Sequence, residues 1–265
     1  MLLNHILLLK HIMPINHVTL YGDILLDNDW LGIGLYLGYI VAFGLPAILL
    51  KVGFNVPFEV LRKMYHMVIA LSIFPLVTFF DNWTMAVLAV FLLVAIAYPL
   101  LVLVENTALY RRIAVERSAG EFKKSLIIVQ MSIALLIFIF WGLLGPEWKY
   151  VAVVAIMAWS FGDAAAALVG KRFGRRQIRH PKIDGPKTLE GTQAMFFTAG
   201  LAIFLTFLFY ANQPWQVSLA VALLVAPVSA VVELFSNRGS DTLTVPISTG
   251  LAVLSLMMFY SYLGG

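Results

Sequence analysis

The chain has 265 residues, of which 61% are hydrophobic and 12% charged, whereas an average soluble domain is roughly 45–50% apolar and about 25% charged. So little polar surface excludes a soluble globule, a disordered tail and a nucleic-acid-binding module, and long continuous apolar runs exclude an alternating β-barrel. With no Cys and a formal net charge of +4, disulfides, thiol nucleophiles and Cys-ligated zinc are excluded too.

Residues 1–30 read as an extramembrane or interfacial lead-in, because the apolar run Ile6–Leu9 is too short to span and no small-residue cleavage site follows it. Residues 31–265 read as a single transmembrane catalytic domain. A span needs about 20 apolar residues, and eight stretches qualify: Leu31–Leu50, Met64–Phe80, Trp83–Val104, Ser125–Leu144, Tyr150–Gly170, Gly191–Tyr210, Gln216–Phe235 and Val245–Leu263. The expected fold is therefore all-α, a polytopic bundle of about eight spans. Pro75 interrupts the second, and Trp30, Trp83, Trp148 and Trp215 fall at span ends, as an aromatic belt would.

The loops after spans one, three, five and seven hold sixteen of the 18 Lys and Arg residues. Only Lys10 and Lys149 fall on the other side. The positive-inside rule then predicts an N-out, C-out topology with the basic face in the cytoplasm.

Ionisable groups inside spans are costly and commonly functional. Entering span two, Glu59, Arg62 and His66 share one helical face, and Glu59 and Lys63 stand at i, i+4. This is either a phosphate-handling element or an ordinary juxtamembrane turn. Asp163 is the only charge in Val153–Val169, with Ala166, Ala167 and Gly170 on its face. It suits a metal or phosphate-handling group, the alternative being a close helix contact with a local pair. A basic loop from Lys171 to Glu190 follows, which on its own could be topology signal. At its end Lys187, Thr188, Glu190 and Gly191 stand where the chain re-enters the membrane, and a helix N-terminus there favours phosphate. Glu233, Arg238 and Asp241 join spans seven and eight in a turn, with Pro246 opening the last helix and Asp241 placed to N-cap it. The topology brings all four clusters to one membrane level, where carboxylates and cations could hold a metal–nucleotide from water and a headgroup from lipid.

These residues resemble a family. Gly162, Asp163, Ala166 and Gly170 match a Gly-Asp-x-x-Ala-x-x-x-Gly run. Lys187, Thr188, Glu190 and Gly191 match Lys-[Ser/Thr]-x-Glu-Gly. Glu233 with Asp241 and Pro246 matches a late Glu followed by Asp-Asn-x-x-x-Pro, Thr242 replacing the Asn, and Arg62, Lys63 and His66 match an early Arg-Lys-x-x-His. The set is similar to the CTP-dependent lipid kinases, which include dolichol (polyprenol), phytol and farnesol kinases and the yeast-type diacylglycerol kinase. The resemblance implies transfer of the γ-phosphoryl of CTP to the hydroxyl of a membrane isoprenoid alcohol, with Mg²⁺ as cofactor.

In that reading Asp163, His66 and Asp241 are the catalytic candidates, and Asp163, Asp241, Glu190 and Glu233 the metal candidates. Lys187, Thr188, Lys171, Arg62, Lys63, Gly170, Gly191 and Arg238 are candidates for the nucleotide phosphates. The alternative is a phosphatidate cytidylyltransferase-like enzyme making a CDP-lipid. Its Pro-Gly-Lys-Thr-x-Glu-Gly element resembles Gly185–Gly191, but its His-Gly-Gly turn and half of its carboxylates are missing here. A transporter is disfavoured, because Gly44, Pro46, Pro75 and Pro99 are not paired between halves and the charges gather on one face.

Overall fold

A computed structural model of the chain describes residues 29–54, 56–108, 110, 114, 116, 120–183, 185–237 and 239–263. Residues 1–28 of the expected lead-in, and Arg238, lie outside the described residues. Trp30 is helical.

Eight helical segments of the described residues are long and apolar enough to cross a membrane. They are built from α1 (Asp29–Gly53), α2 (Phe58–Leu71) continued by α3 (Ile73–Thr78), α4 (Trp83–Val104), α5 (Glu121–Ile137), α6 (Lys149–Phe173), α7 (Leu189–Leu205), α8 (Trp215–Phe235) and α9 (Asp241–Tyr262). A wider π turn extends α5 over Phe138–Leu143, and another extends α7 over Thr206–Tyr210. The protein is an integral multi-pass membrane protein.

The bundle is organised around α6. Its residues Tyr150–Ser160 are buried without interruption, as expected for a helix apolar on every face. Small side chains let its neighbours come close. A Cβ on Gly162 would lie 2.3 Å from Met195 Sδ on α7, and one on Gly250 of α9 would lie 2.5 Å from Phe140. Helix α7 makes the most extensive contact with α6; α8 packs on α7 and α9, and α9, α2 and α5 also touch α6. At the periphery, α1 and α4 leave Val41, Phe43, Leu49 and Leu103 exposed, where a bilayer would cover them.

Three details differ from the expectations. The second span begins at Phe58, six residues before Met64, because charged residues drop out of a hydropathy window although the helix continues through them. Its break falls at Ser72, not Pro75 itself, since Pro has no N–H to bond the carbonyl four residues back. At the break both the Ser72 N–H, at 3.2 Å, and its Oγ, at 2.6 Å, donate to the Ile69 carbonyl. Trp148 is buried and stacked on Tyr150, so it belongs to the core and not to a lipid-facing belt.

The last helix begins at Asp241, with Ser240 rather than Asp241 flanking it, and Pro246 lies inside it. The missing Pro246 N–H leaves the Thr242 carbonyl without its helical donor. Ser132 of α5 fills that place, its Oγ donating to Thr242 O at 2.8 Å. The N-terminal turn of α9, which carries Asp241, is thereby tied to the bundle interior.

Candidate functional site

Helix direction alternates along the chain. The start of α2, the end of α6, the start of α7, the end of α8 and the start of α9 therefore meet at one end of the bundle. Each contributes polar groups, and contacts between them show the convergence.

Lys63 of α2 and Asp163 of α6 form an ion pair whose side chains are almost sealed from solvent, 5% and 13% exposed. Arg62 points elsewhere, because consecutive helical residues are about 100° apart. It pairs with Glu59 at 2.5 Å, and Glu59 also lies 3.8 Å from Lys171. Lys171 is well exposed, so this contact is a weak one. His66, one turn beyond Arg62, places Nδ1 3.2 Å from the Arg62 carbonyl. Its ring packs edge-on to Trp159 of α6, with centroids 6.2 Å apart. Asp163 is also in electrostatic reach of His66 and Arg62.

A second pair lies across the site. Lys187 Nζ bonds the Glu233 carboxylate at 2.6 Å and the Glu233 main-chain carbonyl at 2.5 Å. The carbonyl lies in the last turn of α8, where it also accepts from Ser236 N at 3.2 Å, so a cation there complements the helix dipole. Asp241, in the first turn of α9, lies in electrostatic reach of both pairs.

The loop between α6 and α7 is ordered by backbone pairing. Ile178 N donates to Lys187 O and Leu189 N to Arg176 O, both at 2.9 Å. Gly185 sits at φ +78°, in the left-handed region Gly tolerates. The His180 ring packs on Phe235 at 5.7 Å, docking the loop on the end of α8. Residues 177–181 with Ile183, Gly185 and Pro186 line an open cavity of about 440 Å³ in this loop. A more apolar cavity of about 450 Å³ lies towards the other end of the bundle, between α1 and α3.

Three of the proposed phosphate ligands have evident structural work. Thr188 caps α7, its Oγ1 accepting from Gly191 N at 3.2 Å. Gly170 and Gly191 let α6 and α7 cross closely: a Cβ on Gly191 would lie 3.0 Å from the Ala166 carbonyl and 3.3 Å from Gly170 Cα. Glu190 turns to the loop and accepts from Arg175 N at 3.1 Å and Arg176 N at 3.3 Å.

The four carboxylates expected for a metal do not form one cage. Among the described residues no group of three or more His, Asp or Glu side chains converges closely enough to hold an ion. Mg²⁺ is commonly held by only one or two carboxylates, with substrate phosphates completing its octahedron.

One residue of this end escaped sequence reasoning, and another was placed by it only in part. Glu59 was visible as a helical partner of Arg62, but its reach to Lys171 was not. Trp159, one turn below Asp163 on α6, read only as an apolar residue of a span.

No family model matches the chain. Over 240 residues it is 32% identical to the phytol kinase of Synechocystis sp., a match covering 89% of this chain and 94% of that protein. The chain belongs to the phytol kinase family. It is thus a lipid-alcohol kinase, and the motifs that carried the resemblance gather at one end of its bundle.

Proposed function

We propose that the protein transfers the γ-phosphoryl group of CTP to the hydroxyl of a membrane isoprenoid alcohol, with phytol or a polyprenol the first choice. The observation that carries this reading is the presence of two cation–carboxylate pairs, Lys63–Asp163 and Lys187–Glu233, at the end of the bundle where Asp241 opens α9. Two cations and three carboxylates at the end of an apolar bundle suit a polyphosphate from water and an alcohol from lipid. The similarity to phytol kinase supports an isoprenoid acceptor, and the family resemblance supports CTP.

Phosphoryl transfer depends mostly on positioning and electrostatic stabilisation. Lys187 and Lys63, with Arg62 beside them, neutralise phosphate charge on leaving their carboxylate partners. Asp163 and Asp241 would hold Mg²⁺, which when bound neutralises charge on the nucleotide phosphates. Asp163 and His66 are the groups placed to accept the hydroxyl proton or to orient the oxygen that carries it. The basic loop Lys171–Lys187 gathers cations near the mouth and raises the local concentration of an anionic nucleotide. We place this face in the cytoplasm, with both termini opposite.

The test is a transfer assay in detergent, with and without EDTA. It offers CTP and ATP against phytol, farnesol, a polyprenol and diacylglycerol. Preference for CTP with an isoprenoid alcohol, abolished by EDTA and restored by Mg²⁺, is the expected outcome. Transfer to diacylglycerol alone, or from ATP alone, would reject the assignment of substrate or donor.

A further inference from the structure

Directly beneath the catalytic carboxylate is a hydrogen-bond donor that the fold leaves unused. Trp159 is 1% exposed, and its Nε1–H has no hydrogen-bond partner among the described residues. A buried indole normally finds an acceptor, and a buried donor without one costs roughly 1–3 kcal/mol. The position is specific. Trp159 precedes Asp163 by four residues, so both side chains share a face of α6 one turn apart, and the indole packs against His66. Asp163, His66 and Trp159 thus form a column that descends from the charged end into the apolar core.

Ser160 beside it is also buried and without a partner. A serine hydroxyl, however, rotates freely and can turn to its own helix's carbonyls. The indole N–H is fixed in the ring plane and has no such option. Its partner must come from outside the helix.

We infer that the Trp159 N–H is the donor that positions the oxygen of the acceptor alcohol, an assignment resting on the kinase reading above. A lipid alcohol entering between α2 and α6 brings its hydroxyl below Asp163 and its chain among apolar side chains. The oxygen accepts from Trp159 as the His66 ring swings aside, and its proton faces the Asp163–His66 side of the site. One oxygen lone pair is left for the γ-phosphorus. The O–P bond forms as the bond from phosphorus to the bridging β–γ oxygen breaks. The hydroxyl proton passes to that side of the site, and the nucleoside diphosphate leaves. Trp159 neither gains nor loses a proton. It is a positioning residue, and it selects for a hydroxyl over a bare hydrocarbon end.

Trp159→Phe keeps the aromatic ring and removes the donor. The inference expects kcat/KM for the alcohol to fall at least about tenfold with the KM for CTP unchanged, whatever melting temperature the smaller ring costs through the space it leaves. A purely structural tryptophan would instead affect both substrates in proportion, and unchanged kcat/KM in folded Trp159→Phe would overturn the assignment. A second measurement uses the wild-type protein with its six tryptophans ¹⁵N-labelled. The Trp159 indole signal is assigned by its loss in Trp159→Phe or by elimination with the other five. Phytol should move this signal downfield, and phytane, the matching hydrocarbon, should not. No movement, or the same movement with both, would overturn the inference. The same preparation is assayed for transfer: an alcohol-specific shift without transfer to any lipid hydroxyl would reject the kinase reading and leave alcohol recognition by Trp159 standing.

Discussion

Lys63 and Asp163, a hundred residues apart, meet as an ion pair at the seam between α2 and α6. Both side chains are largely withdrawn from solvent, so the pair costs desolvation energy that a hydrophobic pair would not. An arrangement costly to build, at the point where the polar elements converge, fits two charges kept for a ligand that separates them.

Removing one member leaves a buried charge uncompensated, at about 3–5 kcal/mol. Asp163→Asn should therefore lose stability as well as activity, and alone it does not separate the two roles. The double variant Lys63→Met with Asp163→Leu removes the pair together and should recover most of the lost melting temperature. Its specific activity should stay at least about 10²-fold below wild type, the scale for losing a positioned group. Normal activity in the stable double variant would remove the pair from the chemistry.

Lys187 answers a different question, because its partner Glu233 also offers a main-chain carbonyl. Lys187→Met should reduce kcat/KM for the nucleotide by roughly 10–100-fold, the equivalent of a charge-assisted contact of about 1.5–3 kcal/mol. The KM for the lipid alcohol should be little changed. Steady-state kinetics with each substrate varied in turn decides this. An effect confined to the lipid would move Lys187 away from the phosphates.

The packing of α6 on α7 is tested at Gly162, where an added methyl meets Met195 Sδ at 2.3 Å. Gly162→Ala should cost about 1–3 kcal/mol through overpacking. Adding Met195→Ala should restore part of that loss, since residues in contact couple by about 0.5–3 kcal/mol. Melting temperatures of the two singles and the double give the coupling directly, and strict additivity would contradict this contact.

How much of this was open to sequence reading follows from the range of each signal. The eight spans are set by local apolar runs and are found within a few residues. The exceptions are the ends where charge enters a helix: Glu59, Arg62 and Lys63 at the start of α2, Glu121, Lys123 and Lys124 at the start of α5, and Asp241 at the start of α9. The gathering of the clusters at one end followed from helix alternation alone. Partners did not. Local spacing offers Glu59 to both Arg62 and Lys63, and only the packing of α2 on α6 sends Lys63 to Asp163. Glu190 likewise reads as a ligand but turns to the backbone N–H groups of Arg175 and Arg176, which no spacing rule anticipates. The Ser132–Thr242 link depends on a carbonyl freed by Pro246 and met by a helix 110 residues away.

Topology has its own test, made simple by a chain without Cys. A Cys introduced at Gln177, exposed in the α6–α7 loop, should react with an impermeant maleimide only when the cytoplasmic face is accessible. Labelling from the outside of intact cells would invert the proposed orientation.

The central claim is phosphoryl transfer to a lipid hydroxyl, and the most direct measurement is product stoichiometry. Purified protein with Mg²⁺, CTP labelled in the γ-phosphate and phytol should release one CDP for each labelled lipid monophosphate formed. Release of pyrophosphate with a CDP-lipid as the second product would contradict the account and identify a cytidylyltransferase instead.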